Sequence, residues 1–179
     1  MATDPLEIKR GIFFDALAGN NPEVMFDNLQ SPFVFIAEKY GLPEDGPKAR
    51  ALAAAVEAAW EELLKYANPG GDSLNRDRFD QAMLMAPADE TSRAVLAGSL
   101  PDAVFDIVDT TGSGFLDKDE FTRFAMALTG DESGALAAFT RMDSDGDGRV
   151  SRGEFSRSVD EFLFSPVPDS PGGVIFGIL

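Results

Sequence analysis

The chain has 179 residues, 44% of them hydrophobic, enough for one sizeable core or two small lobes. Its 31 acidic residues against 15 basic ones give a formal charge of -16, which argues against electrostatically driven binding to nucleic acid or an anionic membrane and suits a cation binder. Cysteine and histidine are both missing, which excludes disulfides, thiolate or imidazole catalysis, a serine-histidine triad and sulfur- or histidine-ligated metals.

Helices separated by turns are predicted along the first hundred residues. Asp4-Pro5-Leu6-Glu7 supplies an N-cap, a proline at the first helical position and an acid near N3, followed by Ile8, Ile12, Phe13 and Leu17 at core spacing up to Gly19. A second helix is expected from Met25 to Tyr40, kinked at Ser31-Pro32 and ended by Gly41. The segment from Pro47 to Tyr66 is alanine-rich with an apolar stripe of Leu52, Val56, Ala59, Trp60, Leu63 and Leu64. A short helix from about Asn75 carries Phe79, Met83 and Leu84, and Ala88-Asp89-Glu90 opens another that runs towards Val108 with a break or bend at Pro101.

Two loops follow with chemistry written into their spacing. In residues 143 to 154, Asp143, Asp145 and Asp147 stand at positions 1, 3 and 5, Gly148 at 6 and Glu154 at 12. These are the hard oxygens, the sharp turn and the bidentate closing acid of an EF-hand calcium loop. Arg149 offers its backbone carbonyl at position 7, Ser151 acts through a water at position 9, and Val150 at position 8 is the residue through which such loops pair. An acidic surface turn would account for Asp and Gly but not for Glu154 at the twelfth place. In residues 109 to 120, Asp109, Thr111, Ser113, Phe115, Asp117 and Glu120 fill the ligand positions, with Gly114 at 6 and Leu116 at 8. Two hydroxyls replace carboxylates there, so this loop is expected to hold a divalent cation more weakly than its partner.

The same frame laid on the first half puts Val24 and Leu74 at the pairing position. Leu17, Gly19, Asn21 and Asn28 then occupy the main ligand places of one loop, and Ala67, Pro69, Gly71 and Arg78 those of the other. Neither set suits calcium, and an arginine where the closing glutamate belongs repels a cation.

On these loops, on Ile36-Ala-Glu-Lys-Tyr-Gly41 before the long third helix, and on Ser156 to Phe164 running into a tail, the chain resembles the sarcoplasmic calcium-binding proteins with their calerythrin branch, and more distantly the aequorins and luciferin-binding proteins. The resemblance implies an all-α globule of four EF-hand units in two packed pairs, with short β-bridges between paired loops. Its expected division is a degenerate N-terminal pair (1–88), a calcium-binding C-terminal pair (89–164) and an apolar tail (165–179) that folds back on the core. The tail, Val174-Ile-Phe-Gly-Ile-Leu179 after Pro166, Pro168 and Pro171, is too apolar to be left in water.

Three functions are compatible with this reading. The first is an intracellular calcium buffer or signal modulator binding two ions. The second is a calcium sensor that exposes a groove to a protein partner, although Met25, Met83, Met85, Met126 and Met142 are too scattered to mark one. The third is a small-molecule binder or cofactor-free enzyme using an aromatic cavity between the pairs, lined by Phe13, Phe26, Phe33 and Trp60, with Tyr40 and Tyr66 as the non-carboxylate acid-base groups. No apolar run reaches a membrane span and no basic-then-apolar segment opens the chain, so a cytoplasmic monomer without membrane or nucleic-acid partners is expected.

Overall fold

The computed structural model describes residues 4–167 and 169–179; residues 1–3 and Pro168, the middle member of the proline trio, lie outside the described residues. Helix α1 (Pro5–Ala18) starts where the Asp4 carboxylate accepts the Leu6 N–H at 3.1 Å, and it stops at Gly19, whose φ of 59° a side chain would resist. Strand β1 (Glu23–Met25) leads straight into α2 (Phe26–Lys39). Helix α3 (Pro47–Ala67), strand β2 (Ser73–Asn75) and α4 (Arg76–Met85) complete the first half.

Pro32 leaves α2 unbroken. A proline inside a helix removes one backbone hydrogen bond, but Leu29, Phe33 and Ile36 are buried on both sides of it, and their packing holds the helix together. Pro101 is also absorbed. Helix α5 (Glu90–Ala94) passes through one π-helical turn, Val95–Ser99, into α6 (Leu100–Val108), and the Leu100 N–H bonds to the Val95 carbonyl five residues back. The wider turn just before Pro101 relieves its ring of the contact it would make in a regular helix. The break or bend expected at Pro101 is therefore a π-bulge in a continuous helical run.

The second half repeats the first. Strand β3 (Phe115–Leu116), α7 (Lys118–Thr129), α8 (Glu132–Met142), β4 (Val150–Ser151) and α9 (Arg152–Phe164) follow in order. Strand β1 pairs antiparallel with β2 so that Val24 faces Leu74, and β3 with β4 so that Leu116 faces Val150. All four residues are fully buried. The protein is thus all-α with two short ladders, and each ladder joins two helix-loop-helix units back to back.

One apolar core runs through both halves. The tail completes it: residues Pro171–Phe176 form a 3-10 turn against α9, with Val174 and Ile175 fully buried. Gly172 permits this approach, since a Cβ there would lie 2.0 Å from the Ser158 carbonyl oxygen. The Phe176 ring sits 4.5 Å from Phe13, 6.0 Å from Phe33 and 6.2 Å from Phe162, between the first helices and the last. Among the described residues no helix is long and apolar enough to cross a membrane.

Candidate metal centre

The loop between α8 and β4 gathers carboxylates. One oxygen from each of Asp143, Asp145 and Asp147 lies within 4.8 Å of the others, the one such acidic group found among the described residues. Backbone N–H groups wind the chain around them: Gly148 donates to Asp143 Oδ2 at 2.9 Å, Asp147 to Asp145 Oδ1 at 3.1 Å and Arg149 to Asp147 Oδ1 at 2.9 Å. Asp143 Oδ1 is buried and has no hydrogen-bond partner. A buried carboxylate oxygen is rarely left unsatisfied, and the neighbouring acids cannot donate to it while ionised, so the donor set suits a hard cation.

Glu154, at position 12, is held at the other side of the loop. Its Oε1 accepts the Ser144 N–H at 2.9 Å and the Ser144 hydroxyl at 2.8 Å, while Oε2 accepts the Ser151 N–H and hydroxyl, both at 2.9 Å. Burial pushes its acidity towards the neutral form, yet the donors from Ser151 and Ser144 together outweigh burial and bring the pKa from 4.5 down to about 2.

The loop between α6 and β3 has the same skeleton with fewer charges. Asp109 accepts Ser113 N–H at 3.0 Å and Gly114 N–H at 2.8 Å, and Glu120 accepts Thr110 Oγ1 at 2.9 Å, Thr111 N–H at 3.0 Å and Asp117 N–H at 3.2 Å. Burial raises the Asp109 pKa, but the backbone donors of Gly114 and Ser113 and the Thr111 hydroxyl carry it below the ordinary value. Thr111 donates to Asp109 Oδ1 at 3.3 Å and Ser113 to the Phe115 carbonyl at 2.8 Å, so these hydroxyls are tied to other candidate ligands. Asp117 accepts the Glu120 N–H at 2.8 Å and caps α7. Across the ladder, the Arg149 guanidinium lies over the Phe115 ring at 5.6 Å, joining the seventh residues of the two loops.

Sequence reasoning overlooked position 2. Thr110 and Ser144 each anchor the closing glutamate of their own loop through a hydroxyl, and the shared signal was a hydroxyl residue directly after the first aspartate in both. The first-half loops keep remnants of this scaffold without its charge. Asn28 Oδ1, at position 12, accepts the Met25 N–H at 2.7 Å as Glu120 and Glu154 do in their loops, and Asn75 Oδ1, at position 9, accepts the Arg78 N–H at 3.0 Å.

The aromatic residues nominated for a pocket are packed and divided. Phe13 meets Phe79, Phe162 and Phe176, Phe33 meets Phe176, and Phe26 meets Trp60 in a separate contact at 6.3 Å. The void beside Phe13 and Phe176 holds about 10 Å³, no more than one water molecule occupies. The Tyr66 hydroxyl donates to Asp89 at 2.7 Å, while that of Tyr40 is buried without a partner. Burial is the largest influence on the Tyr40 pKa, with Arg123 opposing and Glu120 reinforcing it, and the net shift is upward.

The EF hand family pattern matches residues 102–125 and 136–160, each covering one of these loops with its flanking helices. These two segments are EF-hand units. It is 27% identical over 132 residues to calerythrin of Saccharopolyspora erythraea, spanning 72% of this chain and 75% of calerythrin. To the luciferin-binding protein of Renilla reniformis it is 28% identical over 100 residues, 55% of this chain and about half, 53%, of that protein. A calcium-binding protein of Streptomyces coelicolor shares the fold of this chain with a TM-score of 0.75 at 20% identity, covering 90% of this chain and 98% of the other.

Proposed function

We propose that the protein is a cytoplasmic calcium buffer or signal modulator that takes up two calcium ions, one in each C-terminal loop. In the downstream loop Asp143, Asp145, Asp147, the Arg149 carbonyl and Glu154 would hold the ion, with Ser151 reached through water. In the upstream loop Asp109, Thr111, Ser113, the Phe115 carbonyl, Asp117 and Glu120 would do so. The observation that carries this reading is the partnerless buried oxygen of Asp143 among three converging carboxylates. A bound ion supplies the positive charge that offsets their mutual repulsion. Backbone and hydroxyl donors already hold the carboxylates of Glu120 and Glu154 at the twelfth place of each loop.

The tail favours buffering over sensing. A sensor exposes an apolar groove to a partner, and here Val174, Ile175 and Phe176 occupy the surface of α7, α8 and α9 from within the same chain. A relative named for binding a luciferin brings a small apolar ligand to mind, but the 10 Å³ beside Phe13 leaves no room for one in this conformation.

Calorimetric titration of the full chain with calcium tests the proposal. Two binding events are expected, with Glu120→Gln and Glu154→Gln each removing one, and a hydrophobic dye should report no gain in apolar surface on saturation. Four events, or none, would overturn the proposal, and a large calcium-dependent dye signal would favour the sensor.

A further inference from the structure

The ladder between the two C-terminal loops is only two residues long on each side, Phe115 to Leu116 against Val150 to Ser151. A second bridge stands beside it. Arg152, the first residue of α9, lays its guanidinium over the Phe105 ring at 4.5 Å, donates to the Asp102 carbonyl at 3.2 Å and to its carboxylate at 3.4 Å, and reaches the Asp106 carboxylate. Those three residues lie on one face of α6, the helix that delivers Asp109. The Asp109 N–H closes that helix on the Phe105 carbonyl at 2.9 Å, and Phe105 meets Phe155 edge-on at 5.8 Å with both rings fully buried.

We infer that Arg152 is a positioning residue that couples the two loops, by clamping the start of the helix bearing Glu154 to the end of the helix bearing Asp109. The inference rests on the proposal that both loops bind calcium. When Glu154 is drawn onto an ion, the first turn of α9 moves with it. The planar fork, with one arm on Asp102 in the first turn of α6 and the other on Asp106 in the last, carries that displacement along α6 to the end that places the first ligand of the other loop. Coupling is reciprocal, so filling the upstream loop raises the affinity of the downstream one by the same factor.

Lysine keeps the charge of Arg152 but loses the fork, so Arg152→Lys separates clamping from simple repulsion of the ion. The coupling factor comes from calcium calorimetry of the full chain, with single-site affinities measured in the Glu120→Gln and Glu154→Gln backgrounds. In Arg152→Lys, and from the opposite side in Asp106→Asn, this factor should fall at least about threefold, within the range typical of such couplings, while each single-site affinity changes less. Combining the two substitutions should add little to either alone. In the metal-free variants the Asp109 amide should exchange with solvent faster than in the parent, while the amides of the β1–β2 ladder keep their protection and show that the fold survives. An unchanged coupling factor in both variants, or single-site losses as large as the loss of coupling, would overturn the role of Arg152 while leaving calcium binding intact. Absence of binding in the parent chain would overturn both.

Discussion

Lys9 of α1 donates its ammonium to the carbonyl of Ser165 at 2.7 Å, and the same group reaches the carbonyls of Glu161 and Val167 at 2.7 Å each. A cation from the first helix therefore caps the last one, where carbonyls without helical partners collect negative potential. Lys9 is 5% exposed, so water does not replace it. Burial is the main influence on its ammonium and lowers its pKa, against a raising effect from Glu161. Lys9→Met should keep the aliphatic stem but strand these carbonyls, at a cost of about 2 kcal/mol. Urea unfolding checks this: the midpoint should fall with an unchanged slope, and a midpoint equal to the parent's would show that the cap contributes nothing.

Lys9 also marks where sequence reading stops. Helices α1, α3 and α9, the two calcium-type loops and the pairing of Val24 with Leu74 were legible because each follows from a local period or a fixed spacing. Which partner a lone lysine finds 152 positions away is not a local property. The same holds for Arg152, which reads as an ordinary charged residue in a first helical turn until α6 is brought beneath it. Pro32 and Pro101 show what a local rule leaves open: Pro101 marked an irregularity whose form, a π-turn, comes from the surrounding helices, and α2 runs on through Pro32 without a break. Phe13, Phe33 and Trp60, nominated for a pocket, are buried, and the placement of Phe176 shows how little space is left beside Phe13.

The two loops should differ in affinity. Asp143, Asp145, Asp147 and Glu154 bring four carboxylates to the downstream loop, whereas the upstream loop has three, with the neutral hydroxyls of Thr111 and Ser113 at the other two places. Glu120→Gln should therefore leave the tighter site and Glu154→Gln the weaker one, with dissociation constants separated by about tenfold or more, a difference of about 1.4 kcal/mol. Calorimetry on the two variants decides it; equal constants would mean that charge count does not set the order.

Acid should weaken the metal-free protein through Glu154. Its folded-state pKa lies near 2 against an ordinary 4.5, so ionised Glu154 stabilises the fold. That contribution is fully present above about pH 4.5 and is lost as the pH falls through the folded value. Glu154→Gln has no such group to titrate, so its stability relative to the parent should rise between pH 4.5 and 2. Thermal midpoints recorded across this window in the presence of a chelator measure the effect, and parallel curves for the two proteins would contradict it.

The tail offers two substitutions that act through different physics. Phe176→Ala removes a ring that touches Phe13, Phe33 and Phe162, and the resulting cavity should cost about 3 to 5 kcal/mol while the rest of the tail stays seated. Gly172→Ala adds a methyl group whose carbon would stand 2.0 Å from the Ser158 carbonyl oxygen and 2.5 Å from the Val159 Cα. Both are backbone atoms of α9, so no side chain can swing aside, and the turn must lift instead. Lifting it would uncover Val174 and Ile175 as well as Phe176, so Gly172→Ala should bind a hydrophobic dye strongly under native conditions and become sensitive to protease near residue 170. Phe176→Ala should do neither, although it is the larger change in apolar volume. If the glycine variant stays dye-silent and resistant, the close seating of the tail on α9 is not what keeps that surface covered.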